Sequence, residues 1–134
     1  MNIEKYTNTD YIPNQNTRSE IESLNKQKQN LSNFQLPKAE LEKVYLVDAK
    51  MQNSNLSKAN LTNASLYGID LSGSNLFKAN FENANLNNAN LENCNLLGAN
   101  LSNAKLKNVS WGKDYKVINE IQAEEADRSG DRDT

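Results

Sequence analysis

The sequence predicts an all-β solenoid, a backbone coiled and stacked on itself, and three observations carry that prediction. First, every fifth residue from Leu36 to Leu106 is large and apolar; thirteen of these fifteen positions are leucine, and Met51 and Phe81 fill the other two. Second, two residues before each stands a column in which twelve of fifteen members are Ala, Ser or Cys, only Phe34, Val44 and Ile69 being larger. Third, a period of five fits neither the 3.6 residues of an α-helix nor the 2.0 of a flat strand, so neither element keeps this stripe on one side. A leucine that always points inward therefore requires the backbone to turn between repeats. A turn of about 90° per repeat closes a square coil every twenty residues and leaves residues i and i+20 one strand spacing apart, roughly 4.8 Å.

The elements follow in order along the chain. Residues 1–18, rich in Asn and Thr and containing Pro13, read as a flexible N-terminal segment. Residues 19–35 read as a helical N-terminal cap: Ser19 followed by Glu22 is a capping-box pattern, and Ile21 and Leu24 share a face of the helix it would start. Leu31 keeps the five-residue phase, but Gln29 is not small, so an irregular first turn of the coil is expected there. Residues 36–111 form the solenoid, just under four coils and about 20 Å long by the strand spacing. Asn stands before the leucine at eight positions (55, 60, 75, 80, 85, 90, 95 and 100), where its amide suits a tight turn and tolerates unusual dihedrals. Stacked twenty residues apart, these amides can also form ladders. Open ends of such a rod expose leucine and unpaired strand edges, which repeat proteins cap. Val117, Ile118 and Ile121 make residues 112–123 the expected C-terminal cap; left uncovered, the coil bearing Trp111 would pair end to end with a second copy as a homodimer. Residues 124–134 carry acids without apolar periodicity and read as a disordered tail.

Segments such as Ala59-Asn60-Leu61-Thr62-Asn63 and Ala99-Asn100-Leu101-Ser102-Asn103 resemble the A(D/N)LXX unit of the pentapeptide-repeat family, and the resemblance covers about 36–111. It implies a right-handed quadrilateral β-helix with the i and i−2 side chains inside. It also implies a non-catalytic protein, as most members are. The best understood members bind DNA gyrase by mimicking DNA. Two readings follow from different classes: a protein–protein interaction or regulatory scaffold, and a DNA-mimicking modulator of gyrase or topoisomerase.

Chemistry is thin. The chain has no histidine, the commonest general base and metal ligand. Its single cysteine, Cys94, falls in the small inward column below Ser54 and Ser74, where a thiol acts as a small hydrophobe; one cysteine fits a reducing compartment. There is no Gly-rich phosphate loop, Cys pair or zinc spacing. Glu40, Glu42 and Glu82 fall on one side of a convex wall that offers no pocket to shift their pKa values. No enzyme activity, catalytic residue, metal or cofactor is expected. No apolar run exceeds the four residues 44–47, so neither a signal peptide nor a membrane span is expected, and a cytoplasmic location is the default.

Function is therefore sought on the outward columns. Beside Leu36, Leu56, Leu76 and Leu96 stand Lys38, Lys58 and Lys78, with Gly98 continuing the line, and next to them Pro37, Ser57, Phe77 and Leu97. Three stacked cations with the apolar Phe77 and Leu97 make a candidate docking strip for an unidentified protein that is acidic and partly apolar. The competing reading is a solvated lysine column with scattered surface hydrophobes, which are normal. A weaker candidate is Tyr45, Val47 and Tyr67 on the opposite side, residues that also favour strands and that the N-terminal segment could cover. Nucleic acid is not an expected partner: residues 36–111 hold seven lysines and six acids, and the overall charge of −2 comes from the tail. A DNA mimic would need dense negative charge in place of phosphates.

Overall fold

The computed structural model describes residues 3–112. The expected C-terminal cap with Val117, Ile118 and Ile121 and the acidic tail lie outside the described residues from position 113 onward. Within them the repeat forms coils of twenty residues. Twelve parallel bridges join residue i to i+20, from Gln35 with Asn55 to Asn90 with Ser110, in four columns per coil. Repeats in the interior of the stack share one pattern of bonds. The residue before the leucine donates its N–H to the preceding coil (Asn55 to Phe34 O, 2.8 Å), and the leucine donates to the following one (Leu36 to Asn55 O, 2.7 Å). The second residue after the leucine also donates onward, as Lys38 does to Ser57 O at 2.8 Å. A turn then closes from the small residue to the leucine carbonyl, as in Ala59 to Leu56 O at 3.0 Å.

That turn accounts for the backbone. An i to i+3 bond with positive φ at the third residue is the type II signature. Positive φ recurs at the second residue after each leucine, between 56° and 66° wherever that residue is not glycine. The asparagine column preceding the leucines is thus not the column of unusual dihedrals. Its Oδ1 instead accepts the N–H two residues on, as Asn60 does from Thr62 at 3.1 Å and Asn100 from Ser102 at 2.9 Å. One side-chain contact along the stack, Asn60 Nδ2 to Glu40 Oε2 at 3.3 Å, is the nearest thing to an amide ladder. The β-structure is built from single bridges rather than from long strands. Only three residues separate consecutive turns, so each side pairs through a single bridged residue, and the regular elements among the described residues are two helices, α1 (Glu4–Thr7) and α2 (Thr17–Lys26).

The core follows the leucine register. Leu36, Leu66 and Leu86 are fully buried, as are Met51 and Phe81 in the leucine places. Each such side chain contributes about 1.5–3 kcal/mol by leaving water. The small column is buried beside them, with Ser54 and Ser74 at 2% and 1% exposure. Phe34, the large exception at the start of that column, has Tyr6 stacked on its ring at 4.9 Å and 23°.

The N-terminal region departs from expectation. The segment read as loose carries α1, and Tyr6 is buried against the open end of the first coil. The carbonyl of Tyr6 accepts the Gln35 N–H at 2.6 Å, and its hydroxyl donates to Glu20 Oε1 at 2.6 Å. A lone tyrosine in a polar stretch gives no periodicity to read; the exposed end of a solenoid supplies the apolar surface that fixes it. Helix α2 begins two residues before Ser19, with Asn16 as an N-cap that makes no side-chain bond. The capping box does not form: Ser19 Oγ donates to Asn16 O at 3.1 Å, and Glu22 accepts the Tyr45 N–H at 2.8 Å. Ile21 and Leu24 are buried together. The stack also starts earlier and more regularly than expected, since Leu31 is fully buried and donates to Lys50 O at 2.7 Å. Among the described residues no helix is long and apolar enough to cross a membrane.

Candidate functional site: a lysine ridge

Each coil has flat sides, made by the small, bridged and leucine residues, and corners, made by the two turn residues that follow. Lys38, Lys58 and Lys78 occupy the second turn position of one corner, and Pro37, Ser57, Phe77 and Leu97 the first. The candidate strip is therefore a projecting ridge along one corner. Its backbone is laddered: Lys38 N–H donates to Ser57 O, Lys58 to Phe77 O and Lys78 to Leu97 O, at 2.8, 2.8 and 2.9 Å. The three lysines are exposed and make no ion pair with a described residue. Leu97 is 52% exposed, Phe77 is half-buried, and Lys78 Nζ stands 5.2 Å from the centre of the Phe77 ring. Cations about 5 Å apart repel by only about 1 kcal/mol in water, so the column can persist without counter-charges.

The backbone makes this column informative. Lys38, Lys58 and Lys78 hold φ of 60°, 60° and 56°. That conformation costs an ordinary L-residue about 1–2 kcal/mol, and Asn or Gly tolerates it better. Elsewhere the fold uses those residues: of the fourteen non-glycine residues at positive φ among the described residues, eight are Asn, and the only lysines among them away from the ridge are Lys28 and Lys43. The four corners share one geometry, so the turn itself gives no reason for three lysines on one of them.

The opposite side divides the weaker candidate. Tyr45 lies on a flat side, whereas Val47 and Tyr67 are corner residues. Helix α2 lies alongside, with Glu22 taking the Tyr45 N–H and Asn25 Nδ2 donating to Val47 O at 3.1 Å. Tyr67 OH accepts from Asn88 Nδ2 at 2.7 Å. Part of this surface is thus consumed in seating α2. The ring of Tyr45 stays 61% exposed and lines two adjoining grooves of about 440 and 450 Å³, which share Asn25 and Lys26. Sequence reasoning missed these grooves, because they exist only once α2 packs beside the coil; the pairing of Glu22 with a backbone twenty-three residues away has no local signal.

Reactive chemistry is sparse. Cys94 donates from Sγ to Leu71 O at 3.0 Å, and burial pushes its thiol up to about 12, away from the thiolate that reactions need. Among the described residues no group of three or more acidic, Cys or His side chains is placed to hold a metal.

The family model for pentapeptide repeats matches residues 39–76 and 74–110, in eight copies. The chain belongs to the pentapeptide repeat family. Among solved structures, a pentapeptide repeat protein of the cyanobacterium Cyanothece 51142 is 40% identical, with a TM-score of 0.62 over 65% of this chain and 58% of that one. HetL from Nostoc sp. strain PCC 7120, a pentapeptide repeat protein involved in heterocyst differentiation regulation, is 33% identical over 60% of this chain and 40% of its own, with a TM-score of 0.35. Another pentapeptide repeat protein, from Nostoc PCC 7120, is 26% identical over 84% of this chain and 93% of its own, with a TM-score of 0.42. This pentapeptide repeat chain spans 58% and 40% of the length of the first two. No curated protein matches it.

Proposed function

We propose that this chain is a non-catalytic scaffold, a right-handed quadrilateral β-helix whose lysine ridge docks an acidic, partly apolar segment of another protein in the cytoplasm. The observation that carries the reading is the concentration of lysine on one corner, at backbone positions that disfavour it, beside the outward Phe77 and Leu97. Two apolar anchors flanked by cations suit a small hot-spot cluster, in which a few residues carry most of the binding energy. The DNA-mimicking alternative draws on family resemblance; seven lysines against six acids over 36–111 argue against it.

Selection of peptides from an acidic library on the immobilised full chain tests the reading. Wild type should enrich acidic peptides containing a bulky apolar residue. Phe77→Ala with Leu97→Ser should lose them with little change in melting temperature, because both side chains point away from the core. Reversing the three lysines to glutamate should slow association and weaken its salt dependence. Enrichment that survives both variants, or that depends on Glu40, Glu42 and Glu82 instead, would remove the ridge from the account.

A further inference from the structure

The ridge and the sequence that follows the described residues match in charge and chemistry. Residues 124–134 contain five acids and two arginines, with Glu124, Glu125 and Asp127 close together and the apolar Ala126 between them. Their path to the ridge is short. Trp111 is buried in the column of Leu71 and Leu91, and Gly112 stacks on the coil below, where a Cβ would lie 3.4 Å from Glu92 Cα. In the order of the coil, the corner that follows the one where Gly112 stands is the corner that bears Leu97 and Gly98. The described chain thus ends one side of the coil away from the C-terminal end of the ridge.

Lys78 is turned toward that end. A Cβ on Gly98 would come within 2.9 Å of Lys78 Cγ, so the glycine is what allows the lysine stem to lie across the last coil. From Leu97 back to Lys38 the ridge spans three coil spacings, about 14 Å. Eleven residues, 113–123, reach at most about 40 Å when extended, so residue 124 can stand over any of the three lysines with length to spare.

We propose that the acidic segment 124–134 lies along the Lys38, Lys58 and Lys78 ridge of its own chain and competes there with the external partner. The inference rests on the docking reading of the ridge and adds its regulation. The segment is tethered, so its effective concentration is high even if its intrinsic affinity is low. An external segment must then displace it, and either a stronger apolar anchor at Phe77 and Leu97 or a change of charge on the tail favours the exchange.

Amide spectra of the full chain test this, compared with a full-length variant carrying Glu124→Gln, Glu125→Gln and Asp127→Asn. At low salt the amides of Lys58, Lys78 and Leu97 should shift between the two, and high salt should move wild type toward the variant. A synthetic peptide of residues 117–134, added in trans, should bind the variant several-fold more tightly than wild type. Adding Phe77→Ala and Leu97→Ser to the variant should abolish that binding. If the ridge amides do not respond and the peptide binds both chains equally, the tail does not occupy the ridge. The docking reading then stands or falls separately, on whether the peptides selected from the acidic library still need Phe77 and Leu97. Shifts that grow with protein concentration would assign the occupant to the tail of a second copy and overturn the intramolecular arrangement.

Discussion

Ser54 and Ser74 show how the inward small column tolerates a hydroxyl. Ser74 Oγ accepts the Ser54 N–H at 3.0 Å and donates to Met51 O at 3.2 Å; Ser54 Oγ stands in the same relation to Phe34 and Leu31. In the alanine repeats the corresponding N–H and C=O bond each other directly, as Ala59 does to Leu56 O. Removing the hydroxyl therefore leaves two groups that can become partners. Ser74→Ala should cost less than about 1 kcal/mol in urea unfolding, rather than the 1–3 kcal/mol of a stranded buried group. Leu66→Ala should cost about 2–5 kcal/mol, because no neighbour can fill its place on the axis. At Lys58 the sign reverses: Lys58→Gly relieves a positive φ and should stabilise by up to about 1 kcal/mol while weakening the ridge. Linkage offers a pH test. Burial raises the Cys94 thiol to about 12, and burial followed by the bond to Glu20 raises the Tyr6 hydroxyl above its ordinary value. Groups with raised folded values favour the native state fully below their unfolded values and lose that contribution as pH rises through the folded ones. Stability should thus fall at alkaline pH from about 9 upward, less steeply in Cys94→Ala.

At the scale of elements, the N-terminal cap is an assembled object. Tyr6 stacks on Phe34 and meets Tyr11 edge-on at 5.0 Å, while α2 buries Ile21 and Leu24 and lends Glu22 and Asn25 to the coil's backbone. Tyr6→Ala should cost about 3 kcal/mol and raise light scattering, because it uncovers Phe34 and the first coil's edge. An unchanged midpoint would show that α2 covers the end alone. The contrast with the coil explains what the sequence could disclose. Leucine and alanine recur because each repeat meets the same neighbours, so one local rule is written many times. Tyr6, Glu22 and the grooves beside Tyr45 depend on contacts made once, between segments far apart in sequence, and no period marks them. The ridge was legible as a column because lysines twenty residues apart stack. Its place on a corner was not, because Lys and Asn at the second turn position do not announce positive φ as glycine would.

The whole molecule is a linear array in which each coil touches only its neighbours, so stability should be distributed along the rod rather than held by one centre. Leu61 and Leu101 allow that to be tested without changing the chemistry, since they occupy the same column two coils apart and are buried to 1% and 2% exposure. Leu61 lies between coils on both sides, and its neighbours bridge in both directions, Asn60 to Glu40 and to Asn80. Leu101 belongs to the last described coil, and Asn100 bridges back to Asn80. Leu101→Ala should therefore speed hydrogen exchange mainly over 91–110 and leave the amides of 36–55 protected. Leu61→Ala should speed exchange in both halves, because it weakens both interfaces of an interior coil and lets the two parts open separately. Equal acceleration of every amide in both variants would mean that the rod unfolds as a single all-or-none unit, with the seated N-terminal cap binding the stack into one cooperative body.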